Sequence, residues 1–450
     1  MTLDRTVILN PSIVILSVSE GSQGKLREGS RVNLSHCPSL KGVFFLLTRV
    51  TPDTKRLGTG TIEEGRDMAK NGFKILDSDM HVFEPHDLYL KYMNLKWGDR
   101  IPRGEPRKKH GQIKFTFADG KPLRPSGTQV LAATSPKSVA GETSPGETEV
   151  AHRYEKPLQR DYDAVSQLQA MDEEGLDVAV LFRTFPLHCD DSLEAEYAND
   201  LCCAWNSWMA DFCKENPQRL KPSALITLHD VDLAVDETRR AVKELGAVGL
   251  SLVPEPSNGQ HIHDRYYDPL WHEVEKLGVP VCFHPAASPN QDQVVHRFKG
   301  HANEAVLINA FRNPIELMLA VGSFCAGGVL ERFPNLRVAF LEGNCAWLPW
   351  VLYRLDERWE LRKGYTNEPL SRKPSDYFLR QCFISVDVEE ELVADVIKRI
   401  GDDNVVISTD YPHADSHWPN AINHFMGVDI PSGARKKILW DNCARLYNVD

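Results

Sequence analysis

The chain has no Cys-x-x-Cys pair among its ten cysteines, and their spacing is irregular. Cys202 and Cys203 are adjacent, which disfavours a simple disulfide, and Cys282 and Cys345 sit in apolar surroundings. Such usage argues against a disulfide framework and fits buried thiols in a reducing cytoplasm. A basic patch is also lacking. Net charge is -11, Lys and Arg are scattered, and the short run from Arg103 to Lys109 reads as a solvated loop, so no nucleic-acid partner is expected. No early apolar run is long enough to span a membrane, since Ile13 to Leu16 is brief and lacks the basic start of a signal peptide. No Gly-x-Gly-x-x-Gly follows the first strand, so a dinucleotide site has no support.

What is present is ordinary for a soluble globular enzyme: 42% hydrophobic and 26% charged residues over 450 positions, enough for one large domain or two or three small ones. Residues 1–70 show no periodicity, and Met68 stands just before the first clear strand. The expectation is a disordered leader or a mis-set start over 1–70, a functional chain beginning near Met68, and one domain over 71–450. From residue 74, eight apolar runs (74–79, 177–182, 222–228, 247–253, 279–284, 336–342, 382–387 and 404–410) alternate with amphipathic stretches. Alternating strands and helices call for a parallel sheet. Eight such units match the α/β class's (β/α)8 TIM barrel, whose active site lies at the C-terminal strand ends. An insertion at about 97–155 breaks the rhythm after the first strand. It contains an expected hairpin turning at Ala118-Asp119-Gly120, then a Ser, Pro, Gly and Thr-rich stretch. It reads either as a disordered decoration or as a mobile lid over the active-site face. A second long connection, 286–313, carries His296, Arg297 and His301, and the next helix is expected at 314–333.

Three of the runs end in residues that bind metals. Ile75-Leu76-Asp77-Ser78-Asp79-Met80-His81 places Asp79 and His81 two apart, so both leave one face of an extended strand. Val281-Cys282-Phe283-His284 delivers a histidine, and Val405-Val406-Ile407-Ser408-Thr409-Asp410 an aspartate. Taken singly, each is more often a turn-former or a helix cap. Parallel strands put all their C-terminal ends on one face. There Asp79, His81, His284 and Asp410 form a mixed nitrogen and oxygen set that suits zinc, manganese or ferrous iron.

These residues, with Phe333-Pro334-Asn335-Leu336-Arg337-Val338 and Asp441-Asn442-Cys443-Ala444-Arg445-Leu446-Tyr447, give the chain its resemblance to the amidohydrolase superfamily. It is most similar to the amidohydrolase-related branch that includes aminocarboxymuconate-semialdehyde decarboxylase and the resorcylate decarboxylases. The resemblance runs from about residue 74 to the C-terminus. It implies that Asp79, His81, His284 and Asp410 hold a catalytic divalent metal, with zinc expected first and manganese or iron as alternatives. It also makes a homodimer plausible. One element departs from the pattern: where relatives often carry a His-Gly-Gly element, this chain has Glu342-Gly343-Asn344. Glu342 would act as acid or base if burial raises its pKa, would ligate metal, or would simply cap a helix or pair with a cation.

Other residues keep two readings. Glu84 before Pro85 either starts a helix or joins a metal site, and His413 orients either Asp410 or a bound substrate. Glu84, Glu342 and His413 together would supply a second metal, as in the superfamily's rare non-haem di-iron oxygenases. Arg183, ending the second strand, either clamps a substrate carboxylate or forms a surface ion pair. The reading is a cytoplasmic metal-dependent hydrolase that acts on a small organic substrate through a metal-activated water, with Asp410, Glu342 and His413 catalytic. Non-oxidative decarboxylation of an aromatic or unsaturated acid is the alternative, and di-iron oxygenation the third. A barrel that has lost catalysis stands apart from these.

Overall fold

A computed structural model of the chain describes residues 70–123, 145–185, 191–285 and 292–450. The expectation for residues 1–67 lies outside these, as does the stretch 124–144 within the insertion. Eight parallel strands form one sheet in chain order: β1 (Leu76–His81), β2 (Val178–Phe182), β3 (Leu220–Leu225), β4 (Gly249–Leu252), β5 (Val281–Phe283), β6 (Val338–Phe340), β7 (Cys382–Val386) and β8 (Val405–Ile407). Helices follow the strands, giving the (β/α)8 barrel. The strands are short and almost wholly buried, as expected of aliphatic runs covered on both faces.

Local signals account for the helix boundaries. The helix Ala164–Glu174 starts where the Asp163 carboxylate accepts from Ser166 N, and it stops at Gly175 in the left-handed conformation. Asp230 caps Val231–Lys243 through Asp232 N and Leu233 N.

The barrel closes by a different kind of bond. Between β1 and β8, Ser78 Oγ donates to Ile407 O (2.6 Å) and Ser408 Oγ to Asp79 O (3.0 Å). The His81 amide donates to Tyr411 O at 2.7 Å. A register irregularity in β1 between Asp77 and Met80, opposite β2, lies in the same stretch. Asp77 strengthens the seam by accepting from Thr409 Oγ1 and from the amides of Asp79 and Thr409.

Two expectations need adjustment. The insertion does turn at residues 117–121, but its two-stranded ribbon pairs Phe115–Thr116 with the upstream Arg103–Gly104. The connection after β5 is not a long loop. Helices occupy Asp292–Phe298 and Glu304–Cys325, the second running straight through Pro314. Proline favours a first turn, which explains the later start expected from sequence. Here burial of Leu317, Ala320, Val321 and Phe324 against the barrel outweighs the lost hydrogen bond. Among the described residues one stretch, Val306–Arg332, is long and apolar enough to cross a membrane by length and composition; half of its apolar window is buried within the fold.

This helix lies tight against the turn after β6. A Cβ on Gly343 would come 2.4 Å from Leu317 Cδ1, and Leu317 is fully buried. We expect Gly343→Ala to lower stability by about 1–3 kcal/mol, read by denaturant unfolding. An unchanged midpoint would show that the helix has room to move.

Candidate metal centre

β1 carries Asp79 and His81 into the mouth of the barrel, and His284 follows β5 directly. All three are buried, each about 1% exposed. His81 Nδ1 meets the Arg183 carbonyl at 2.8 Å, and His284 Nδ1 meets the Pro285 carbonyl at 2.9 Å. A carbonyl only accepts, so each Nδ1 carries a proton, and Nε2 is the atom left on each ring to meet a metal. The two Nε2 atoms face each other at 3.0 Å. Asp79 Oδ1 lies 3.5 Å from His284 Nε2 and 3.7 Å from His81 Nε2, and neither Asp79 oxygen accepts a hydrogen bond.

A buried carboxylate without hydrogen bonds beside two converging Nε2 atoms costs several kcal/mol unless a positive charge lies between them. A proton on His284 Nε2 would satisfy Glu342 Oε2, 2.8 Å away, but would leave Asp79 without a partner. One divalent cation would satisfy all of them. Nδ1–H donated to a backbone carbonyl is also how a ligating histidine is usually oriented. The donor set therefore fits a metal.

The electrostatics agree. Burial, then His413, His284 and Arg183, push His81 well below its usual range, keeping it neutral. Burial, then the charges of Glu342 and Asp410, push Asp79 well above the usual carboxylate range. Without a cation Asp79 therefore holds a proton that metal must displace. Metal uptake should release protons, and affinity should rise with pH by about tenfold per unit for each proton displaced. Calorimetry in buffers of different ionisation enthalpy reads this; uptake independent of pH would mean that Asp79 is already ionised.

Asp410 and His413 complete the face. Asp410 Oδ1 lies 3.6 Å from His81 Nε2 and 2.6 Å from His413 Nδ1. Burial raises the Asp410 carboxyl to about 7 despite the opposing pull of His413, while burial of His413 is outweighed by Asp410, Glu342 and Asp415 together, which raise it to about 9. Glu342 behaves in the opposite way to a buried general acid. Burial works against its charge, but His284, then His413 and Arg312, hold it down at about 2. Asp410 and Glu342 both adopt left-handed backbone, φ 57° and 55°. For non-glycine residues that costs roughly 1–3 kcal/mol each and concentrates at functional sites.

Six of the eight residues singled out from sequence thus meet at one place. Glu84 does not join them: its Oε1 accepts from the amides of Thr184 and Phe185 and from Trp205 Nε1, so it braces the turn after β2. Arg183 is not at the surface but 1% exposed, its Nη2 donating to the His284 carbonyl at 3.0 Å. It holds β2 to β5 beneath the donors. The described insertion residues fasten around the same mouth. Arg107 donates to Glu84 O, Gln112 to Thr184 O, and Tyr154 OH to His413 O. Sequence reading missed Arg312 and Asn313, whose Nδ2 donates to Glu342 Oε1 at 3.3 Å. Both fall in the 286–313 connection, which sequence alone reads as a loop.

The amidohydrolase family model matches residues 154–449, about two thirds of the chain. The chain belongs to the amidohydrolase family. Its relatives include a gamma-resorcylate decarboxylase from Rhodococcus jostii, 30% identical over 298 residues, covering 63% of this chain and 87% of that protein. Among solved structures, 2,6-dihydroxybenzoate decarboxylase from Rhizobium aligns with TM-score 0.56 and 26% identity, over 70% of this chain and 94% of that one. A dihydroxybenzoic acid decarboxylase from Polaromonas sp. JS666, with bound manganese and 2-nitroresorcinol, shares the fold at TM-score 0.53 and 24% identity. It covers 65% of this chain and 90% of that one. These family members are carboxy-lyases, which moves the weight away from the hydrolase expectation.

Proposed function

We propose that this amidohydrolase is a metal-dependent, non-oxidative decarboxylase of an aromatic or unsaturated carboxylic acid. The observation that carries the reading is its likeness to resorcylate decarboxylase across the barrel. Asp79, His81 and His284 would hold one divalent metal, with Asp410 and Glu342 within reach. The three carboxylates that Asp79, Asp410 and Glu342 bring to two imidazoles, and the manganese of the Polaromonas enzyme, favour manganese over zinc. When bound, the metal supplies positive charge to a substrate oxygen.

The chain's own residues manage the proton. Asp410 Oδ1 and His413 Nδ1, 2.6 Å apart, hold one proton between them, which the pair can pass on through Asp410. In this reading Asp410 gives that proton to the carbon bearing the carboxylate. The carbon–carboxylate bond then breaks, its electron pair returns to the substrate carbon framework, and carbon dioxide leaves. No oxidant or reductant is consumed. Glu342, held ionised, is unsuited to giving a proton near neutral pH and serves instead as an acceptor or ligand.

The test is to incubate manganese-loaded protein with 2,6-dihydroxybenzoate and related acids, measuring carbon dioxide and the decarboxylated product. Hydrolysis of an ester or amide panel with no carbon dioxide from any acid would sink this reading in favour of the hydrolase. A second reading rests on Glu342: with Asp410 and His413 it gives the centre a donor surplus that two irons would use. About two irons per chain and oxygen uptake would establish it. A small-molecule substrate is common to all these readings.

A cytoplasmic location is supported by eight free thiols among the described residues, all but Cys203 buried. A homodimer would cover the exposed Leu319, Trp350 and Tyr353. Fractionation and light scattering check the two.

A further inference from the structure

The helix Glu304–Cys325 brings one cation to the rim of the metal centre. Arg312 Nε donates to Asn313 Oδ1 at 2.9 Å, Asn313 Nδ2 donates to Glu342 Oε1 at 3.3 Å, and Glu342 Oε2 is 2.8 Å from His284 Nε2. The guanidinium is thus three contacts from the ligating face. Arg312 Nη1 is buried and has no hydrogen-bond partner among the described residues, and no ion pair forms on Arg312 there. Its electrostatic neighbours are Glu342, Glu255 and Asp415, contributed by the segments after β6, β4 and β8, so it faces the mouth of the barrel. A half-buried guanidinium with an unused buried N–H costs free energy unless an anion completes it. Gly343, where a Cβ would strike Leu317, lets the helix come this close.

We propose that Arg312, braced by Asn313, forms an anion subsite beside the metal centre that takes the carboxylate of the substrate. This rests on the decarboxylase reading for its ligand class. The guanidinium fork matches a carboxylate. It also completes the charge balance: the face is rich in carboxylates, and an anionic substrate needs a positive group besides the metal. Arg183, the candidate for this task in the sequence, donates to the His284 carbonyl below. Because the carboxylate leaves as neutral carbon dioxide, a contact to it belongs to the ground state. Its loss should appear in KM more than in kcat.

The experiment measures binding of 2,6-dihydroxybenzoate and of resorcinol, which lacks the carboxylate, to the manganese-loaded full chain by calorimetry. Arg312→Met should weaken the acid roughly 10- to 100-fold and change resorcinol by less than about twofold, with manganese content unaltered. Arg312→Lys should recover part of the loss, keeping the charge but not the fork. If Arg312→Met fails to fold, Arg312→Lys and Asn313→Ala decide by the same ratio. Equal effects on both ligands, no effect on either, or a wild-type chain that binds neither would overturn the subsite. Arg312-dependent binding without carbon dioxide release would uphold the subsite and overturn the decarboxylase reading alone.

Discussion

His284→Ala is expected to purify with less than about one-tenth of the wild-type metal and no detectable turnover, because a single site loses one of its two nitrogen ligands. The reason lies in the geometry. His284 Nε2 lies 3.0 Å from His81 Nε2, 3.5 Å from Asp79 and 2.8 Å from Glu342, so no neighbour can move into its place without uncovering another buried charge. Asp79→Asn should behave similarly, losing the negative charge that two imidazoles cannot supply. Arg183→Met tests the layer beneath. It removes the hydrogen bond to the His284 carbonyl while leaving every donor in place, and should lower metal affinity by about 10- to 100-fold. Elemental analysis and competition with a chelator read all three. Full metal in His284→Ala would mean that the cation, if any, binds elsewhere.

Asp410→Asn should have the largest effect on chemistry. If Asp410 donates the proton, kcat falls about 10²- to 10⁴-fold, while metal content stays near the wild-type value because Asp79, His81 and His284 remain. The amide cannot carry the transferable proton, and it leaves His413 without the main carboxylate that holds its pKa near 9. Loss of metal and activity in step would make Asp410 a ligand first. Unchanged kcat would remove it from the mechanism. Glu342→Gln makes the comparison informative. Glu342 is held strongly acidic by His284, His413 and Arg312 together, so as a ligand or acceptor its loss should reduce metal content more than proton transfer. A fall in kcat at full metal occupancy would reverse that assignment.

The amino-acid sequence by itself determined the barrel and where its chemistry would lie. Aliphatic runs of strand length alternating with amphipathic helices leave few other ways to bury both faces of a parallel sheet. That architecture puts the end of every strand on one side. Asp79, His81, His284 and Asp410 could therefore be placed on a common face from position alone, and Glu342 recognised as a carboxylate where relatives often carry histidine.

Tertiary structure decided what each side chain does there. Glu84 and Arg183 also stand at strand ends, yet one is taken up by amides of the turn after β2 and the other by a carbonyl after β5. Both partners are about a hundred residues away in the chain, and local spacing carries no trace of them. The direction of the Glu342 pKa depended in the same way on His284, His413 and Arg312 together outweighing burial. Arg312 and Asn313 were hidden because Pro314 looked like a helix start, whereas packing of the residues after it carries the helix through. Spacing along the chain decides which face a residue shares. Which atom it meets is settled by rotamers and long-range partners, whose free energies exist only once the barrel has closed.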